Sequence, residues 1–257
     1  MSKKSYKEVK CDSLEDVLHK CMDLRLENKW SFRGQRDEKW PLGLHGLKDL
    51  NTGKDKDLVK IFSQFKKRCL ALPKRDHIAE DDNWRWLFYA QHHRLKTQLL
   101  DWTSNPLVAI YFAVEDVLSG KGRKYDKKGN PKDNPFGAVW ALKVDERHFS
   151  LPDKNTAFNT VPDWFMINPV PITPRLARQS GKFTFHPIND IQPLDERPRR
   201  NKNEKIVKFV LKGKDDKNPS REIRRRLGFM NVHHASLFPD ADGIADFVTH
   251  EWSLLQQ

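Results

Sequence analysis

Across residues 12–28, DSLEDVLHKCMDLRLEN, the apolar positions Leu14, Val17, Leu18, Cys21 and Leu24 recur every three or four residues. That spacing predicts an amphipathic helix, with Asp12 or Ser13 as its N-cap. WSFRGQ reads as a short strand ending near Gly34. A second helix is predicted from Lys56 to Leu70, with Leu58, Ile61, Phe62 and Phe65 on one face, and an aromatic-rich third from Asn83 to His93. TQLLDW reads as a strand, after which Ser104 or Asn105 caps a helix with Pro106 in its first turn. That helix, PLVAIYFAVEDVL, is apolar nearly all round and so reads as a core helix.

Further along, GAVWALKV, GKFTFH and EKIVKFVL have strand character. Ser220 opens a basic helix, REIRRRLGF, and a last helix is predicted from Asp240 to Trp252. Residues 119–135, rich in Lys, Gly and Asp, predict an exposed basic loop, and the five prolines of 150–175 predict irregular chain. Strands and helices mix without regular βαβ spacing. The expected fold is therefore α+β, with a helical segment over 1–29 and one domain over 30–250.

Composition adds a constraint on partners. Lys plus Arg number 47 against 35 Asp plus Glu, a formal charge of +12. Such a balance favours polyanions, nucleic acid first among them, although it also serves solubility. Cys11, Cys21 and Cys69 show no CxxC spacing, which points away from a disulfide framework or a zinc site and towards a reducing cytoplasm. No run approaches the roughly 18–20 apolar residues that span a bilayer, and the N-terminus lacks a signal-like apolar stretch. No HExxH or Walker-type sequence occurs, so no metal is expected.

Four ordered motifs carry a resemblance: FRG at 32–34, QH-x-x-L-x-T-x-LLDWTSNPLVAIYFA at 91–113, RLARQSGKFTFH, and SLFPDADGIADF. Together they resemble the bacterial and phage FRG domain family, over roughly Trp30 to Phe247. The chain departs from the usual family pattern at Arg94, Lys96 and Gln98, where glycine, proline and arginine are commoner. A weaker resemblance links the aromatic-Arg-Gly strand, and the Thr-Ser turn leading into an A-x-x-F-A helix, to the ADP-ribosyltransferase fold. That likeness implies a mixed or antiparallel split β-sheet flanked by helices. It also implies NAD as substrate, held by Arg33 and by the turn that starts at Thr103. The Glu or Gln that such enzymes carry on a later strand has no clear ExE counterpart here.

Each candidate residue has a functional and a structural interpretation. Arg33 can fork two pyrophosphate oxygens beside Gly34, whose bare backbone admits a ligand closely, or it can pair with Asp101. Gln35 can reach a ribose hydroxyl or end the strand in solvent. Asp101, following two leucines, is expected to be at least partly buried, and can bind the ligand or cap the turn. Thr103 and Ser104 offer hydroxyls to a ribose or a nicotinamide amide, or cap the next helix. His92 can line the pocket. Gln179, just before a strand and beside Gly181, is the candidate for the missing catalytic group, with Asp240 and Asp242 as turn-forming rivals. Arg199, Arg200 and Lys202, and then Arg221, Arg224 and Arg225, form basic clusters suited to a phosphate backbone. The expected activity is ADP-ribosyl transfer from NAD to a nucleic acid or protein, as a toxin or phage-conflict factor with an antitoxin or other neutralising protein as partner. A non-catalytic nucleic-acid or nucleotide-binding module is the alternative.

Overall fold

The computed structural model describes residues 5–26, 30–44, 55–72, 78–115, 136–144, 163–169, 173–188, 192–199, 203–214 and 218–255. Its strands are β1 (Lys7–Cys11), β2 (Trp30–Gln35), β3 (Leu99–Thr103), β4 (Ala138–Lys143), β5 (Phe165–Ile167), β6 (Gly181–Phe185) and β7 (Lys205–Leu211). They form one sheet in the order β1-β7-β4-β2-β3-β6-β5. Only β1 and β7 run parallel; every other neighbouring pair is antiparallel.

The sheet is nearly divided in the middle. β2 and β4 pair along their whole length, whereas β2 meets β3 at a single register pair, Phe32↔Thr103. Beyond that point the two strands diverge. This leaves unpaired backbone on both lips of a seam, where side chains or a ligand must meet the lost hydrogen bonds.

Helices α1 (Leu14–Arg25), α4 (Pro106–Ala113) and α6 (Ser220–Phe229) cover β1, β7, β4 and β2, burying Phe32, Val139, Ala141 and Phe209 beneath them. On the other side of the seam, α2 (Asp55–Cys69) and α3 (Asn83–His92) pack on β3, β6 and β5 through Phe62, Trp84, Phe88, Phe183 and Phe185. Strand alternation sends Trp140, Leu142, Leu100, Trp102 and Met166 to the opposite face, where one cluster bridges both halves. The chain is completed by α5 (Pro174–Arg178), α7 (His234–Leu237), α8 (Ala241–His250) and α9 (Trp252–Leu255). Among the described residues no helix is long and apolar enough to cross a membrane.

Most predicted elements occur where periodicity puts them, with three differences. Residues 7–11, inside the segment expected to be helical, form β1, so a boundary at residue 29 falls inside one continuous sheet. KEVKC has little apolar alternation of its own, and its strand conformation comes from pairing with β7. Within the proline-rich stretch, β5 and α5 are ordered; Thr173 caps α5 and Pro174 sits in its first turn, where proline is tolerated. The predicted last helix ends at His250 rather than Trp252, because Glu251 turns inward. The predicted loop 119–135 lies outside the described residues.

All three cysteines are free and buried. Burial holds the Cys11 thiol up at about 12, far from the reactive thiolate form.

One titratable cap gives the fold a pH dependence. His233 starts α7 in a capping box: its Nδ1 accepts from the Ser236 amide at 3.3 Å, and its Nε2 meets Asn231 Oδ1 at 2.8 Å. That arrangement requires the neutral ring. Burial, aided by nearby Arg224 and opposed by Glu251, lowers the imidazole below its ordinary 6.5. The unfolded chain then binds this proton more readily, so the contribution is complete above about pH 6.5 and lost as pH falls through the lower folded value. Urea unfolding at pH 7.5 and 5.5 should show this loss, and His233→Asn, which keeps a capping oxygen, should make the curve flatter. An unchanged pH slope in that variant would exclude the cap as its source.

Candidate active site at the β2–β3 seam

A cavity of about 360 Å³ opens at the seam, lined from β2 by Arg33, Gly34 and Gln35, from β3 by Asp101 and Thr103, and from beyond α5 by Gln179. A second, of about 520 Å³, adjoins it and shares Arg33, Arg36, Trp40, Gln91 and Asp101. Both lie in the size range of ligand sites.

Arg33 bridges the seam. Its Nη1 donates to the Asp101 carbonyl at 2.8 Å and stands 3.9 Å from that residue's carboxylate, so it occupies backbone that β2 and β3 no longer pair. The ion pair is loose, and the Asp101 side chain is 58% exposed, contrary to the burial expected of it. The expected capping role falls instead to Asn105, whose side chain accepts from the Leu107 amide at the start of α4. Burial lowers the Arg33 guanidinium's hold on its proton, and Asp101 opposes that effect. Arg33 Nε is buried with no hydrogen-bond partner among the described residues. A buried donor of this kind is costly unless an acceptor is supplied.

The three residues of the Phe-Arg-Gly triplet divide their roles by strand alternation. Phe32 is fully buried under α4 and Arg33 lines the cavity. At Gly34 the close approach is made by α4: an added Cβ would lie 2.5 Å from the Ala113 amide nitrogen and 2.9 Å from the Phe112 carbonyl carbon. Gln35 is buried, accepting from Trp140 Nε1 at 2.7 Å and donating to the Pro41 carbonyl at 3.2 Å, so its polar atoms are engaged in holding β2 to β4 and to the next turn.

On the other lip, Thr103 Oγ1 donates to the Gln179 carbonyl at 2.7 Å and accepts from the Asn105 amide at 3.0 Å. Ser104 donates its amide to the Ser180 carbonyl at 3.2 Å. The side chain of Gln179 reaches the cavity and donates to the Leu237 carbonyl at 3.2 Å. His92 lines neither cavity; its Nδ1 lies 3.5 Å from Thr173 Oγ1, the cap of α5. Asp240, a rival for the acidic role, caps α8 through the Gly243 amide at 2.7 Å.

Four further cavity residues are not singled out as candidates by the sequence. Gln91 sits in the last turn of α3; it donates to Asp101 Oδ2 at 3.0 Å and accepts from Thr97 Oγ1 at 2.6 Å, which orients the carboxylate. Arg175 lies over the Phe238 ring at 4.3 Å. Burial lowers the proton affinity of that guanidinium, and Asp101 is the first group to oppose the fall. Glu115 and Trp40 complete the wall. The sequence signal for Arg175 is its place at the head of the RLARQSGKFTFH motif, two residues after the cap Thr173.

The basic clusters are largely dismantled by the fold. Arg199 donates to Glu204 at 3.0 Å, and to Ser5 and the Leu194 carbonyl. Arg224 is buried against Glu251 and the Tyr111 ring. Arg224, 3% exposed, does not present its guanidinium to solvent, so the phosphate-binding assignment fails for it: a buried guanidinium needs an internal carboxylate. Arg225 pairs with Glu222 at 3.5 Å, and Arg221 is exposed. Arg200 and Lys202 lie outside the described residues.

Residues 28–121 match the family described as the FRG domain. The matched span holds β2, α3, β3 and α4, which between them supply Arg33, Gln91, Asp101 and Thr103. Gln179 and Arg175 come from beyond the FRG match. No curated protein and no solved structure matches the chain.

Proposed function

We propose that this protein transfers ADP-ribose from NAD to a nucleic-acid or protein acceptor, on an ADP-ribosyltransferase-like sheet. The observation that carries this reading is a partly exposed arginine, its Nε buried and unpartnered among the described residues, on one lip of the seam, facing the Thr103 turn on the other. Arg33 Nε and Arg175 fit the two charges of a pyrophosphate, since a guanidinium fork matches phosphate oxygens. NAD supplies an ADP-ribosyl group: its ribose–nicotinamide bond breaks with the electron pair leaving on nicotinamide, and an acceptor nitrogen bonds to the same carbon and gives up a proton. Asp101, aimed by Gln91, stands where a carboxylate can steady the positive charge on the ribose or take that proton. Gln179 holds the far wall through its bond to Leu237. In this reading the protein acts as a toxin or phage-conflict factor, and a neutralising partner would cover the seam.

The second reading is a nucleotide- or nucleic-acid-binding module without chemistry. It is favoured by Thr103 and Gln179, which already make structural hydrogen bonds. Incubating the protein with adenylate-labelled NAD, DNA, RNA and cell extract separates the two. Label transfer with nicotinamide release, lost in a folded Arg33→Ala variant, is the expected result. Tight binding without nicotinamide release would instead establish the second reading.

A further inference from the structure

The second cavity differs in charge from the first. Arg33, Arg36, Arg94 and Lys96 line it against one carboxylate, Asp101. Trp40, 38% exposed, stands in the wall common to both cavities with the Arg36 guanidinium over its ring at 5.4 Å. A large exposed aromatic flanked by cations offers a flat face for a base and charges for the neighbouring phosphates.

Arg94 adds a separate observation. Its φ is 63°, in the left-handed region where a long side chain is disfavoured and glycine is not. The chain therefore holds a basic side chain at the cavity rim at a conformational cost. The same geometry closes α3, where the Leu95 amide donates to the Ala90 carbonyl at 2.9 Å in a left-handed C-terminal cap.

We infer that this second cavity is a groove for single-stranded nucleic acid, with Trp40 stacking one base and Arg36, Arg94 and Lys96 holding the backbone beside it. A duplex keeps its bases stacked inside, out of reach of a ring set in a cavity wall; a single strand can splay one out. An acidic peptide would match the sign of the groove but has no regular use for the ring. The shared wall at Arg33 and Trp40 brings the stacked base next to the neighbouring cavity. Binding itself stands apart from the transferase reading, but the role of the groove rests on it: the bound strand is the acceptor presented to the ribose.

The test is fluorescence anisotropy on the full chain, without NAD, using one labelled 12-nucleotide sequence as RNA, as single-stranded DNA and as duplex. Single strands are expected to bind more tightly than the duplex. Which single strand binds better separates an RNA acceptor from a DNA one. Trp40→Ala should weaken binding on the order of 5- to 100-fold, while Trp40→Phe, which keeps a stacking face, retains most of it. Lys96→Gln should reduce the slope of log affinity against log salt by about 0.7, the release from one phosphate. Arg94→Gly should lower affinity and reduce that slope while raising the thermal midpoint, a combination that a merely structural residue cannot produce.

Equal binding of duplex and single strand, or unchanged affinity in Trp40→Ala and Lys96→Gln, would overturn the groove. NAD binding by calorimetry, on the wild type and on Arg33→Ala, is scored separately. Strand binding without NAD binding overturns the donor reading and leaves the groove standing, and the converse result does the reverse.

Discussion

Gly34→Ala is expected to leave the chain unfolded at room temperature. The added methyl would lie far inside contact distance of the Ala109 carbonyl oxygen, 2.5 Å from the Ala113 nitrogen and 2.9 Å from the Phe112 carbonyl carbon. All three atoms are helix backbone, so no rotamer change relieves the clash. α4 cannot retreat as a body, because Ala109, Ile110 and Tyr111 are fully buried and its last turn also rests on Gly137. Moving it would open a void under Phe32 and strip one of the main layers from the sheet. The loss should reach at least about 4–5 kcal/mol, comparable with the whole stability of many domains. Circular dichroism and a urea midpoint measure it. A variant that folds with a near-wild-type midpoint would mean that α4 does not press on β2 as described. The prediction also bears on the site: α4 carries Phe112, and Glu115 lies just beyond its end, both on the cavity wall. The glycine sets how closely that wall stands to Arg33.

Removing Glu251 should have the next largest effect. Arg224, 3% exposed, pairs with the Glu251 carboxylate, which is 10% exposed. The same carboxylate accepts from the His234 amide at 3.2 Å, and the Arg224 guanidinium stacks 3.5 Å from the Tyr111 ring centre. Glu251→Ala leaves a buried cation without its counter-charge, a change that typically costs about 3–5 kcal/mol. Arg224→Met alone strands the carboxylate and should cost a similar amount. The double variant should lose much less than the sum, since two apolar side chains can fill the space without burying a charge. Urea midpoints for the two single variants and the double give the coupling directly. Strictly additive losses would show that the pair is not a unit. Tyr111 reports on the same network: burial pushes its hydroxyl's pKa well above the ordinary value, with Glu251 adding to the rise and Arg224 opposing it.

The two clusters of arginines show where sequence reasoning stops. REIRRRLGF reads as a basic face, yet one helical turn distributes its cations three ways. Arg224 goes to the core, Arg225 to Glu222, and Arg226 to Glu222 and Glu15. Helical phase predicts that Ile223 and Leu227 face inward, and they do. It cannot announce that Arg224 shares their burial, because the carboxylate that permits this lies 27 residues further on. Asp101 presents the reverse case. Its flanking leucines and tryptophan suggest burial, but on a strand at the seam those neighbours point to packed faces while Asp101 stays open.

Local pattern alone determined the elements that build the site: WSFRGQ and TQLLDW as strands, the apolar run after Asn105 as a core helix, and the likeness of residues 28–121 to one family. Periodicity, caps and proline positions act over a few residues, so they can be read without the fold. Tertiary structure alone decided the rest. It opened the sheet between β2 and β3, brought Arg175 and Gln179 to that opening, set Gly34 under α4, and gave Arg199, Arg224, Arg225 and Arg226 carboxylates and Arg33 and Arg175 a cavity. These outcomes depend on contacts such as Arg33 with Asp101, 68 positions apart, and Gln35 with Trp140, 105 apart. A charge's partner is chosen by proximity in space, and proximity at that range exists only once the strands have paired.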